Sequence, residues 1–180
     1  MTNEEVKNAI KNYISKDFGK RFREADLAEA PANERQREAY DLAQKYYDNK
    51  SLYIAGNYGT GKTRLLAGIY KSLLKTGKKT KVFMIKDLAD WLRDAELNCD
   101  VSKSIKDLRR QYDVFILDDI DKVKLTETFD SNFFVFIDYL YQDEKIIHIS
   151  ANMNFDQLKQ AGFNGGTIRR IQDISEIVKL

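Results

Sequence analysis

Residues 56–63 read Gly-Asn-Tyr-Gly-Thr-Gly-Lys-Thr, a glycine-rich loop ending in Lys-Thr. Such a loop constrains a fold tightly, because it works as a turn from a strand into a helix. Both flanks fit. Ser51, Leu52, Tyr53, Ile54 and Ala55 form the short apolar run of a buried parallel strand. Leu65, Leu66, Ile69, Tyr70, Leu73 and Leu74 recur with helical spacing just after the loop. Gly56, Gly59 and Gly61 let the backbone turn and aim several N–H groups at one anion. Lys62 can then neutralise β- and γ-phosphates, and the Thr63 hydroxyl can ligate Mg²⁺. The chain reads as a binder of a nucleoside triphosphate.

A chain of 180 residues is one domain by length. A helix is predicted over 4–16, with Val6, Ala9, Ile10 and Tyr13 along one face. Pro31 and Asn33 open a second, with Gln36 placed as a capping-box partner and a stripe of Ala39, Tyr40, Ala43, Tyr46 and Tyr47. The helix after the phosphate loop ends near Thr76-Gly77. Strands are predicted at 82–85, 114–117, 146–150 and 174–180. Asp87 is read as the cap of a helix carrying Leu88, Trp91, Leu92 and Ala95; residues 98–103 as a polar loop; 105–110 as a helical turn; and 129–141 as an apolar helix. Strands separated by helices imply a parallel sheet covered on both faces, with ligands at the carboxyl ends of its strands.

The strand at 114–117 runs into Asp118 and Asp119, about 55 residues beyond the phosphate loop, where an NTPase needs carboxylates. Asp118 is assigned to the Mg²⁺ shell and Asp119 to the attacking water. Asn152, just past the next strand, can bond the γ-phosphate and its water without adding charge. Arg169 and Arg170 follow Gly165-Gly166; an arginine reaching another subunit's γ-phosphate would supply positive charge in the transition state, and spacing alone does not choose between them. His148, the only histidine, alternates with isoleucines and reads as a packed residue; with a single cysteine, Cys99, there is no zinc site.

One cysteine excludes an internal disulfide and fits a reducing cytoplasm. The N-terminus lacks a basic, then apolar, export pattern, and the longest apolar run, Phe133–Ile137, is far short of a membrane span. The net charge of +2 is unevenly laid out. Nine basic and no acidic residues lie between Asn49 and Lys86, whereas nine acidic and two basic lie between Asp113 and Glu144. Either solvated faces segregate by chance or a positive rim is offered to phosphates.

From about Phe18 to Ile171 the chain resembles the AAA+ ATPase domain of the DnaC/DnaI-type replicative helicase loaders and their IstB-like relatives. The resemblance is carried by Phe22-Arg23-Glu24-Ala25-Asp26-Leu27, Gly56–Thr63, Phe115–Ile120, Ser150-Ala151-Asn152 and Ile168-Arg169-Arg170-Ile171. It implies a three-layer α/β/α P-loop NTPase over 18–180 with sheet order 5-1-4-3-2; two departures from the family pattern are expected, no C-terminal lid and only a short helical extension over 1–17 where loaders usually carry a helicase-binding domain. It further implies ATP, with Mg²⁺, at a junction between copies. Gly56, Asn57, Tyr58, Gly59, Thr60, Gly61, Lys62, Thr63 and Arg64 would hold the phosphates. Asn152 takes a sensor role, and Arg170, which precedes a hydrophobic residue, becomes a finger in trans. The adenine would lie near Phe22, Arg23 and Leu27. The helix at 87–97 falls where relatives face single-stranded DNA, and Lys103, Lys106, Arg109 and Arg110 would touch its phosphates. The implied activity is a slow, assembly- or DNA-dependent cytoplasmic ATPase that helps place a replicative helicase.

A transposition-helper ATPase shares every motif, and a nucleotide-switched adaptor that hydrolyses slowly or not at all is a further class. A small-molecule kinase would need an acceptor pocket and arginines acting in cis, and Asp118, Asp119 and Asn152 suit it poorly.

Overall fold

In a computed structural model, which describes residues 2–29, 33–98 and 100–180, five strands form one sheet: β1 Ser51–Ala55, β2 Thr80–Met84, β3 Val114–Asp118, β4 Ile146–Ala151 and β5 Ser175–Lys179. Every pairing is parallel, in the order β2-β3-β4-β1-β5. Read from the other edge this is 5-1-4-3-2, as the sequence resemblance implies. Helices α1 Asn3–Phe18, α2 Glu34–Tyr46, α3 Lys62–Lys75, α4 Ile85–Leu97, α5 Val101–Gln111, α6 Glu127–Gln142, α7 Phe155–Gln160 and α8 Gly165–Ile174 cover its faces. Short 3₁₀ turns stand at Lys20–Phe22 and Ile120–Lys122.

Alternation along the strands divides the apolar residues between two cores. Val114 and Ile116 face one side with Leu52, Ile54 and helices α1–α3. Phe115 and Leu117 face the other with α4–α8 and an aromatic group built around Phe136. Interior strand β3 is buried at all five positions, as a strand covered on both faces must be.

Several local expectations are corrected. In α1 the buried stripe is Ile10, Ile14 and Phe18, while Val6 and Tyr13 are 41% and 54% exposed. The helix is rotated because Phe18 packs on Tyr70 of α3, whose hydroxyl donates to Asp17 Oδ2 at 2.7 Å. Thr2 and Glu5 close its first turn as a capping box. Asp87 is not a cap; α4 begins at Ile85 without a side-chain cap, and Asp87 sits in its first turn. The second half of the expected polar loop is helix: Asp100 accepts from Lys103 N at 2.7 Å and starts α5 at Val101. Gln36 donates to the Thr60 carbonyl at 3.0 Å, tying α2 to the phosphate loop. Pro31 and Cys99 lie outside the described residues.

Helices α7 and α8 have no counterpart in the sequence reading. Each carries a readable start, Asn154 with Gln157 and Asn164 respectively. Gly165-Gly166 obscured α8, since paired glycines suggest a loop. A Cβ on Gly166 would lie 2.7 Å from the Phe134 ring, so glycine there permits close α6–α8 approach.

His148 is fully buried in β4, with Nε2 2.8 Å from the Tyr47 carbonyl, and burial holds its pKa down at about 4. Between that value and the ordinary 6.5 the unfolded chain binds the extra proton. Stability present above pH 6.5 should therefore fall as pH drops toward 4, by about 3 kcal/mol in all. Urea denaturation at stepped pH checks this; His148→Gln should remove that part of the slope.

Candidate nucleotide site

The phosphate loop joins the carboxyl end of β1 to the first turn of α3. Gly59 and Gly61 have φ of +77° and +101°, which side chains with a Cβ rarely adopt, and these turns curl the loop around the helix N-terminus. Lys62 is nearly buried at the root of α3. Its Nζ donates to the Gly56 carbonyl at 2.8 Å, the Asn57 carbonyl at 2.9 Å and Asn152 Oδ1 at 2.8 Å. All three ammonium protons are thus taken, by neutral acceptors. Burial holds its pKa down, and the Asp119 and Asp121 charges oppose that shift.

Thr63 Oγ1 donates to Asp118 Oδ2 at 2.9 Å, and Ser150 Oγ donates to Asp118 Oδ1. Asp118 is buried at the end of β3; burial raises its pKa, and the Ser150 and Thr63 bonds pull it back. Ser150 also accepts the Asp119 backbone N–H at 2.9 Å. Asp119 is left-handed, with φ +59°, which turns its carboxylate out of the strand line. Lys122 bonds that carboxylate at 2.5 Å and lies over the exposed Tyr58 ring, 5.2 Å from its centroid. Sequence reasoning missed both Lys122 and Asp121. They read as surface charges because only the 3₁₀ turn after β3 folds them back toward the site.

A cleft of about 390 Å³ opens here, lined among others by Tyr58, Lys62, Thr63, Arg64, Asp119 and Asn152. Arg21 and Phe22 close one side, the Arg21 guanidinium 4.5 Å from the Phe22 ring centroid. Of the three residues expected at adenine, Phe22 lines this cleft. Leu27 is a core residue, 3% exposed and packed against α3 at Gly68, and Arg23 points outward beside Glu24. The 3₁₀ turn decides which residues of this segment face inward.

Arg170 is not among the cleft's lining residues. Its Nε donates to Asp138 Oδ1 at 2.5 Å, NH1 donates to the Gly166 carbonyl, and the guanidinium lies over Phe134. Arg169 projects outward, its side chain 82% exposed with a long ion pair to Asp173. Lys103, Lys106, Arg109 and Arg110 do share α5, but Arg109 departs from the expected surface role. It pairs with Asp143 at 2.8 Å, reaches the Tyr139 carbonyl and is 18% exposed, so it fastens α5 to α6.

The cleft's donor set fits a phosphate chain: loop N–H groups at a helix N-terminus, a buried lysine held by neutral oxygens, and hydroxyl and carboxylate oxygens side by side. Among the described residues no group of three or more His, Cys, Asp or Glu could hold a metal alone. The Thr63 hydroxyl and Asp118 carboxylate oxygens, 2.9 Å apart, suit Mg²⁺, which takes one or two protein oxygens and arrives with phosphates. A family model described as the bacterial DnaA ATPase domain matches residues 24–164, which contain all of these groups. The chain belongs to this family.

Two curated members are chromosomal replication initiator proteins DnaA. That of onion yellows phytoplasma is 30% identical over 133 residues, 67% of this chain and 25% of the relative. That of Corynebacterium aurimucosum is 32% identical over 130 residues, 67% and 23% respectively. The chain thus spans about a quarter of the length of these relatives. Among solved structures, the DnaC helicase loader superposes with TM-score 0.77 at 22% identity, over 89% of this chain and 99% of that one. AMPPCP-bound DnaA from Aquifex aeolicus gives 0.74 at 22% identity, over 87% and 50%. DnaI gives 0.72 at 20% identity, over 88% and 92%. The fold is the AAA+ ATPase domain of bacterial replication initiators and helicase loaders, the group that the sequence motifs resemble. Among the described residues no helix is long and apolar enough to cross a membrane.

Proposed function

We propose that this domain binds ATP with Mg²⁺ in the β1–β3–β4 cleft and hydrolyses it slowly, as a replication ATPase that associates with single-stranded DNA and a replicative helicase. One observation carries the reading. Lys62, Thr63, Asp118, Asp119 and Asn152 come from three separate chain segments, yet form one connected network at the carboxyl end of the sheet. Lys62 can exchange its loop carbonyls for phosphate oxygens, gaining charge-assisted bonds. Thr63 and Asp118 would hold Mg²⁺, which when bound screens phosphate charge and polarises the γ-phosphoryl group. Asp119, aimed out of the strand line, orients and accepts a proton from the attacking water.

A second copy would complete the site. Arg170 sits across the molecule's α6–α8 contact, away from its own cleft lining, as a residue acting in trans must. The AMPPCP-bound DnaA and the DnaC helicase loader support ATP and a helicase partner by likeness of fold; a DnaA solved with AMPPCP and single-stranded DNA supports the DNA partner. Lys103, Lys106 and Arg110 on α5 are the cations proposed for DNA phosphates, with Arg109 now withdrawn from that set.

Asp119→Asn tests the catalytic assignment. Hydrolysis should fall on the order of 10²-fold while ATP affinity is retained; unchanged turnover would remove Asp119 from the chemistry. Co-purification with a replicative helicase, with and without ATP, tests the partner. Capture of a transposase instead would favour the transposition-helper reading.

A further inference from the structure

Asn152 lies one residue beyond β4, where the strand ladder has ended at Ala151. No neighbouring strand fixes its backbone, and Asp121 does so instead. The Asn152 backbone N–H donates to Asp121 Oδ1 and its side-chain Nδ2 donates to Asp121 Oδ2, both at 2.8 Å. A carboxylate only accepts and an ammonium only donates. With Asp121 on one side of the amide and Lys62 on the other, the Asn152 side chain can lie only one way. Nitrogen faces Asp121; oxygen faces Lys62, at 2.8 Å, and the cleft.

We propose that Asp121 is a positioning residue for turnover, locking the Asn152 amide with its oxygen turned into the phosphate site; this rests on the nucleotide reading above. Asp121 is absent from the cleft lining and acts through Asn152. The next residue is held from β1, since the Tyr53 hydroxyl donates to the Met153 carbonyl at 2.6 Å. The 152–153 segment is therefore clamped between the turn after β3 and strand β1. Lys62 takes one lone pair of the Asn152 oxygen, and the other is left as a preoriented acceptor facing the cleft. It bonds a water proton beside Asp119. An Asn152 without its clamp would turn the amide freely and lose that geometry.

A double-mutant cycle on the full chain tests this, with steady-state ATP hydrolysis as the readout and nucleotide affinity measured alongside. Asp121→Ala should lower kcat about 10- to 100-fold, the cost of a misplaced group, with KM for ATP within about twofold. Asn152→Ala should do the same, and the double variant should be no worse than Asn152→Ala alone. Asp121→Asn, which keeps one acceptor oxygen and the side-chain shape, should fall between wild type and Asp121→Ala and guards against simple unfolding. Unchanged kcat in Asp121→Ala, or effects that multiply in the double variant, would overturn the proposal while leaving the nucleotide site standing. Unchanged kcat in Asn152→Ala would be a different failure: it would overturn the role of Asn152 in the nucleotide reading and this proposal with it.

Discussion

Lys62→Ala should weaken ATP binding about 10- to 100-fold, because a hydrogen bond to a charged group is worth about 1.5–3 kcal/mol. Hydrolysis should fall further, on the order of 10²–10³-fold, since charge on the γ-phosphoryl oxygens peaks in the transition state. The lysine is buried with all three protons on Gly56, Asn57 and Asn152 oxygens. It is held in place before any phosphate arrives, so its contribution needs no rearrangement of the helix that bears it. Titration calorimetry gives the affinity and a phosphate-release assay the rate, both on protein whose circular dichroism matches wild type. Wild-type affinity in the variant would mean that phosphates do not sit on this loop.

Phe136→Ala should cost about 3–5 kcal/mol, with a fall in melting temperature of about 6–20 °C. Phe136 is fully buried on α6, and its ring makes edge contacts with Phe83, Trp91 and Phe115 at centroid distances of 6.3, 6.4 and 5.9 Å. These belong to β2, α4 and β3, so one ring joins three elements of the second core. Removing it leaves a void that rigid neighbours fill poorly. Tyr13→Ala, at a 54% exposed site on α1, should stay within about 0.5 kcal/mol and serves as the control. Guanidinium denaturation measures both.

The sequence made the sheet readable because β1, β3 and β4 are short apolar runs followed by polar residues, and the phosphate loop fixes where β1 ends. Asp118, Asp119 and Asn152 were legible because each stands at, or just beyond, the end of a strand, and Lys62 and Thr63 because they close the glycine-rich loop. What stayed hidden depends on turns rather than on periodicity. Asp121 and Lys122 look like solvated charges until the Ile120–Lys122 turn folds one under Asn152 and the other onto Asp119. Arg109 looked equivalent to Lys103 and Arg110, yet its position on α5 sets it against Asp143 and the Tyr139 carbonyl. The stripe of α1 was misjudged because Val6 and Tyr13 are as apolar as Ile14 and Phe18. Only docking on Tyr70 decides which pair is covered.

The most direct trial is calorimetric titration of the wild-type chain with a non-hydrolysable ATP analogue and Mg²⁺. One analogue per chain should bind, raise the melting temperature, and bind more weakly when Mg²⁺ is chelated. A folded protein that gives neither heat nor thermal shift at millimolar nucleotide would contradict the account at its root.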